Sequence, residues 1–409
     1  MLACSYHIFI YSFTFNYSDF GKILENLKKH HWVELNFEEE FKSTLDKEDY
    51  FNKYAEFQYF NEQVRSILFH KNDVVKNFEL YHNGLRINDG KYVIKKGNDI
   101  FELKIKSIKL KLFCTGSGLL IFDLANNHKI SMEDINKINE YGRRLSLPFI
   151  GVSPHPLVSD SIEILADGEV IASEKFKDTI DKLNDDFLNE KSKVSILSKS
   201  EIVSKLLPFE YNTSDDRMFV CCLVRNNDLS DKTCSYLNND YAYLNDCVND
   251  GKTSSNELYK FAFVETSLSC QNKNMKRRKL EESIYPRWAD YGTLFGMTPH
   301  SFVCLTREDE FLEYSVINPF INIYTEILCL ALVQRDSIAL MINEISKMSL
   351  AKREDIILME KRFFDFQRKL LLSKVTMQEQ GIELFDLMRE RLDILNEYKL
   401  LERKMSNIL

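Results

Sequence analysis

Arg143 and Arg144 stand side by side behind Gly142 in the stretch INEYGRRLSLPFIG at 138–151. A guanidinium fork matches phosphate or carboxylate bidentately, so two forks at one loop have the chemistry to hold a diester or diphosphate. Positive charge at a helix C-terminus also complements the helix dipole, and a guanidinium there can cap free carbonyls. Both readings stay open, and they are compatible if one arginine is structural and the other liganding. SDDRMF at 214–219 places Asp215, Asp216 and Arg217 at the mouth of a buried strand. A carboxylate there can accept hydrogen bonds from a ribose hydroxyl or an amine; the alternative is a surface turn or an internal ion pair. Arg287 and Trp288 lie in KRRKLEESIYPRWADYGTLFGM at 276–297. A base stacked on the indole beside Arg287 is reasonable chemistry, set against solvation of the basic run and burial of Trp288 in the core.

The chain has no GxxxxGK[ST], no GxSxG, no HExxH and no Cys/His zinc pattern, so no enzyme is expected from its motifs. Nine cysteines are scattered without a CxxC, the pattern of reduced thiols in a cytoplasmic protein. Acidic residues outnumber basic ones, 62 to 54, for a net charge of -8. That balance argues against direct nucleic-acid binding, and any anion site must be local.

These groups need elements to position them. HIFIYSFTF alternates as a first strand, and IFELKIKSIKLKLF alternates with a phase slip at Ser107 that predicts a bulge. GSGLLIFDL follows a CTGSG turn, giving a hairpin and favouring antiparallel pairing. ISMEDINKINEYG predicts a helix capped by Ser131 and Asp134 and closed by Gly142. The run 160–205 reads as charged helix, RMFVCCLVR and SFVCLT as buried strands, and YKFAFVE as another strand. The fold class is α+β: a mixed, largely antiparallel sheet with flanking helices, then long C-terminal stalk helices. The expected division is an α/β ligand-sensing domain over 1–319, with 226–257 an exposed insertion, and a helical stalk over 320–409. The stalk contains one stripe from Ile323 to Met348, a helix over 352–373, and a helix opened by the capping box TMQE at 376–379. Pro319, Glu326, Gln334, Arg335 and Asp336 interrupt the best membrane-span candidate, so the chain as given is not expected to cross a bilayer. The last helix has no stop signal, consistent with either a cut or a fraying end.

This order of pieces resembles the cytoplasmic half of a CorA-type divalent-cation channel. HWVELNF, EYGRRLSLPF, DDRMFV, YPRWADYGTLFGMTPHSFVCLT, YTEILCLALVQRDSIALMINEIS and VTMQEQGIELFDLMRERLDI resemble more closely the divergent CorA-like proteins encoded beside bacterial type III CRISPR systems. The paired membrane helices and the Gly-Met-Asn pore signature are absent; FGMT at 295–298 is only an echo. The resemblance implies a sensing portion of an antiviral membrane effector, gated by an S-adenosylmethionine-AMP conjugate or an oligoadenylate. Taken with the residue chemistry above, the expectation is that Arg143 and Arg144 hold the phosphate, Asp215 or Asp216 contacts its ribose or amine, and Arg217, Arg287 and Trp288 also bind the ligand. It implies no bound cofactor beyond that ligand, a divalent cation such as magnesium, and a homo-oligomer, pentameric by analogy. Its place is the cytoplasmic face of the bacterial inner membrane if the gene continues into spans, and the soluble cytoplasm for this chain alone. The alternatives are a soluble helical interaction protein without a small-molecule ligand, and a nucleotide-hydrolysing enzyme.

Overall fold

The computed structural model describes residues 3–87, 89–128, 131–146, 157–181, 199–213, 215, 217–237, 254–266, 269–348 and 353–407. At its centre lies β1 (Ser5–Thr14), with Phe9, Tyr11 and Phe13 on one face and Tyr6, Ile8 and Ile10 on the other. A strand apolar on both faces must be covered on both, and β1 runs between two neighbours, β7 (Ser117–Asn126) and β10 (Phe219–Arg225). Beyond β7 comes β6 (Asp99–Phe113), whose register shifts between Ile105 and Ser107 at the expected bulge. The bulge divides its outer edge: the first half pairs with β5 (Lys91–Lys96), the second with β3 (Val75–His82). On the far side, β10 pairs in parallel with β13 (Ser301–Thr306), which pairs with β12 (Leu294–Thr298) and through it with β11 (Ile284–Tyr285). All other pairings are antiparallel, including the hairpin β8 (Ser161–Ala166) and β9 (Glu169–Glu174) at the β5 edge.

Helices cover both faces. On the Phe9 face lie α1 (Phe20–Lys29), α5 (Met132–Gly142), α6 (Glu201–Leu206), α7 (Asn227–Leu237) and α8 (Ser254–Phe263). On the Ile8 face lie α3 (Lys47–Tyr59), α4 (Glu62–Leu68), α10 (Thr325–Lys347), α11 (Arg353–Lys369), α12 (Glu379–Arg391) and α13 (Ile394–Ser406). Ile327, Leu330, Ile338, Met341 and Ile345 of α10 are buried, as the stripe predicts, each worth about 1.5–3 kcal/mol. The helix including α10, Glu310–Lys347, is long and apolar enough to cross a membrane, but most of its apolar window is buried within the fold. One apolar cluster runs from Ala3 to Met405, so the expected division at 319 falls inside a shared core and the terminal helices pack on the sheet instead of standing clear as a stalk.

Several local expectations are corrected. Residues 161–174 form a hairpin, not a helix: Ile162, Ile164 and Ala166 alternate inward, and Asp167-Gly168 supplies two positive φ angles for a tight turn. The described start of the 226–257 insertion is α7, which buries Leu229, Ser230, Thr233 and Cys234. Residues 259–263 of YKFAFVE belong to α8, because Leu258, Phe261 and Ala262 share one buried face at helical spacing, and Val264, with a φ of 55°, lies just past the helix end. Gly142 has no positive φ; it ends α5 where a Cβ would meet Phe9 and Ile94 at 2.8 Å. The helix expected from 376 starts at Glu379 without a side-chain cap and breaks at Asp393, whose φ of 55° separates α12 from α13. Before α10, π-helical turns at Glu313–Ile317 and Phe320–Tyr324 flank Pro319, which has no N–H for a regular ladder.

Candidate functional site

Four of the sequence candidates converge at the end of α5. Ser131 caps the helix by accepting from Asp134 N, as expected, and the last turn delivers Glu140, Arg143 and Arg144 into the core. Arg143 Nη2 donates to Glu140 Oε2 and to the Val264 carbonyl, while Arg144 donates to Glu140 Oε1 through Nε at 3.1 Å and Nη2 at 2.5 Å. Arg144 also forms a β-bridge with Arg217, and Met218 N donates to the Arg143 carbonyl at 2.7 Å, bringing in the 215–218 segment. There Asp215 Oδ1 accepts from Arg217 N and Nε at 3.0 and 3.2 Å. Burial lowers the Arg143 pKa, Glu140 opposes this, and Arg144 and Arg217 add to it. The helix-end carbonyl of Gly142 is taken by the Tyr92 hydroxyl, not by an arginine. Asp216 lies outside the described residues.

Arg287 and Trp288 are committed elsewhere. Arg287 Nη1 donates to both Glu383 oxygens at 2.7 Å, and Trp288 Nε1 donates to Gln380 at 2.8 Å. Their hydrogen-bond partners are on α12, so the pair fastens that helix to the β11–β12 edge. In the adjacent helix α9 (Lys273–Ser283), Lys276 is buried against Asn256, and Arg277, Arg278 and Lys279 pair with Glu281 and Glu282 as a solvated face.

A thiol, an imidazole and an amide also meet in the core: His7 Nδ1 lies 2.7 Å from Asn139 Oδ1 and 3.6 Å from Cys222 Sγ. Burial pushes the Cys222 thiol up to about 12 and pulls His7 down to about 4, so neither is poised as nucleophile or base at neutral pH. The trio ties α5 to β1.

A second site went unpredicted. Because of the Ser107 bulge, Lys106, Lys109 and Lys111 share the face of β6 turned toward α3 and α10, where they floor a cavity of about 740 Å3. Asp123 of β7 and Asn77 of β3 extend the floor; Glu56 of α3 and Asn318, Asn322 and Glu326 of the Glu310–Lys347 helix form walls. Lys111 Nζ pairs with Glu326 at 2.9 Å and donates to Asn77 at 3.3 Å. Burial pulls Lys109 down, but Asp123, Glu326, Glu79 and Glu56 outweigh it and hold its pKa above the ordinary lysine value. Asp123 is raised by burial against Lys109 and Lys106, and its Oδ1 is shielded from solvent without a hydrogen-bond partner. Glu56 is pushed up to about 7 by burial and by Glu326, against Lys109, Lys111 and Lys53. Among the described residues, no salt bridge or hydrogen bond ties Lys109 to any of its four carboxylates. Two sequence signals pointed here: Asp123 is the only charge in the apolar strand GSGLLIFDLAN, and Glu326 the only acid in TEILCLALVQR. Among the described residues, no group of three or more His, Cys, Asp or Glu side chains is placed to hold a metal ion. The chain matches no family model, no curated protein and no solved structure.

Proposed function

We propose that the chain is the sensing part of a CorA-like membrane effector of type III CRISPR defence, and that its adenine-nucleotide messenger binds in the cleft over β6. The observation that supports ligand binding is the cavity itself: Lys109, Glu56 and Asp123 line it, no salt bridge or hydrogen bond among the described residues ties Lys109 to either acid, and its volume suits a nucleotide-sized molecule. Phosphate oxygens take the β6 lysines, and the carboxylates accept ribose hydroxyls or amine protons. The arginines around Glu140 hold α5 to β10 and do not contact the messenger. Asn318, Asn322 and Glu326 recur every four residues along one wall, so a ligand that prefers one packing of that helix biases the C-terminal helices. In the same reading those helices meet in a ring of subunits, pentameric by resemblance, and pass the bias to a membrane pore supplied outside this chain.

The test is calorimetry with AMP, an S-adenosylmethionine-AMP conjugate and oligoadenylates. A Lys109→Ala variant is expected to bind about tenfold more weakly, and an Arg143→Ala/Arg144→Ala pair, provided that it folds, to bind normally. No binding by any of these ligands would remove the sensor reading. Loss of binding only in a folded arginine variant would return the site to α5. One observation favours a second reading, an interaction protein: Ile357, Leu358 and Phe364 are exposed along α11.

A further inference from the structure

Between β11 and β12 a row of aromatic rings begins at the surface. The Trp288 and Tyr291 ring centroids are 6.1 Å apart, those of Tyr291 and Phe311 are 6.4 Å apart, and Tyr314 follows Phe311 by about one helical turn. Tyr291, Phe311 and Tyr314 are 57%, 64% and 56% exposed, so the row offers partners a broad apolar face. Its inner end is occupied: the Arg287 guanidinium lies over the Trp288 ring, 5.5 Å from the centroid, while Nη1 donates to Glu383. Among the described residues no cation stands over Tyr291, Phe311 or Tyr314. The acids beside Phe311 are open too. Glu308 and Glu310 are exposed, and among the described residues neither carboxylate has an ion pair or a hydrogen bond. The bases closest to the rings in sequence are committed, Arg287 to Glu379 and Glu383 and Arg307 to Asp231.

We infer that this surface docks a basic peptide segment of a partner protein, with an arginine laid on Tyr291 and Phe311 and donating to Glu308 or Glu310. Arg287 shows the arrangement within the chain itself, a guanidinium stacked on one ring with its N–H groups turned to a carboxylate. Lysine fits less well, because its ammonium is a compact, strongly hydrated charge that cannot lie flat on a ring. An acidic peptide or a nucleic acid would meet unpaired carboxylates instead of counter-charges. None of the four aromatic residues or the two acids lines the cleft over β6, so peptide docking and ligand binding in the cleft are tested separately.

The experiment is fluorescence anisotropy on the full chain with labelled hexa-arginine, hexalysine and hexaglutamate peptides at about 0.15 M salt. Hexa-arginine is expected to bind about tenfold more tightly than hexalysine, and hexaglutamate not to bind. Phe311→Ala and Tyr291→Ala, checked for folding by circular dichroism, are each expected to lose about tenfold for hexa-arginine and to bring it level with hexalysine. Glu308→Gln/Glu310→Gln is expected to weaken both basic peptides. Absence of hexa-arginine binding to the wild-type chain overturns the inference, as does equal affinity for the arginine and lysine peptides or unchanged affinity in folded Phe311→Ala.

Discussion

Lys111 Nζ lies 2.9 Å from Glu326 Oε2, joining the middle of the sheet to the first turn of α10 through a pair that is mostly shielded from water. Breaking such a pair from one side leaves the other charge uncompensated, whereas replacing both with apolar groups removes the problem altogether. Lys111→Met is therefore expected to cost about 2–4 kcal/mol in urea unfolding, and Lys111→Met/Glu326→Leu to recover at least half of it. Additive losses in the double variant would mean that the two side chains act separately.

The Glu140 carboxylate carries two buried guanidinium groups at once. Glu140→Gln keeps the shape and removes the charge, so it is expected to lower stability by about 3–5 kcal/mol, more than Arg144→Ala does. Thermal melts of the two variants side by side decide the order.

Glu56 gives stability an unusual pH dependence. Its carboxyl titrates near 4.5 when unfolded and at about 7 when folded, so the folded state binds the proton more tightly. The site is neutral to stability below about 4.5, becomes progressively destabilising as pH rises, and reaches its full penalty above about 7. Glu56→Gln is expected to be more stable than wild type by about 3 kcal/mol at pH 8, with the difference vanishing near pH 4. Denaturant midpoints across that range provide the check.

At the end of α5, Gly142 makes room for a neighbour. A Cβ there would stand 2.8 Å from both the Phe9 ring and Ile94 Cδ1. Gly142→Ala is expected to cost about 1–3 kcal/mol despite the better helix propensity of alanine. Gly142→Ala/Ile94→Val, which shortens one of the two obstructing side chains, is expected to regain part of the loss.

The sheet was legible where period and chain direction agree. The alternation of HIFIYSFTF, the slip at Ser107 and the Ser131 cap each report a local cause that tertiary packing leaves alone. YKFAFVE misled because its aromatic and β-branched residues favour strand, whereas burial of Leu258, Phe261 and Ala262 decided for helix. At 161–174 the Asp-Gly turn signal was present and was outweighed by the charge density around it. The arginines drew notice as an adjacent pair, but their partner Glu140 lies three and four residues back and reads as an ordinary helical acid. The cleft was hardest to see. Lysines alternating on a strand normally face water, and nothing local to β6 announces that α3 and a helix some 215 positions later will roof them.

The fork in β6 has a mechanical consequence. One strand holds β7 along its length and β5 and then β3 on its opposite side, so it cannot peel from either flank without tearing two ladders together. Its backbone amides over 108–112 should be among the last to exchange with deuterium, and the molecule should come apart from its margins inward, with this strand the final piece to let go.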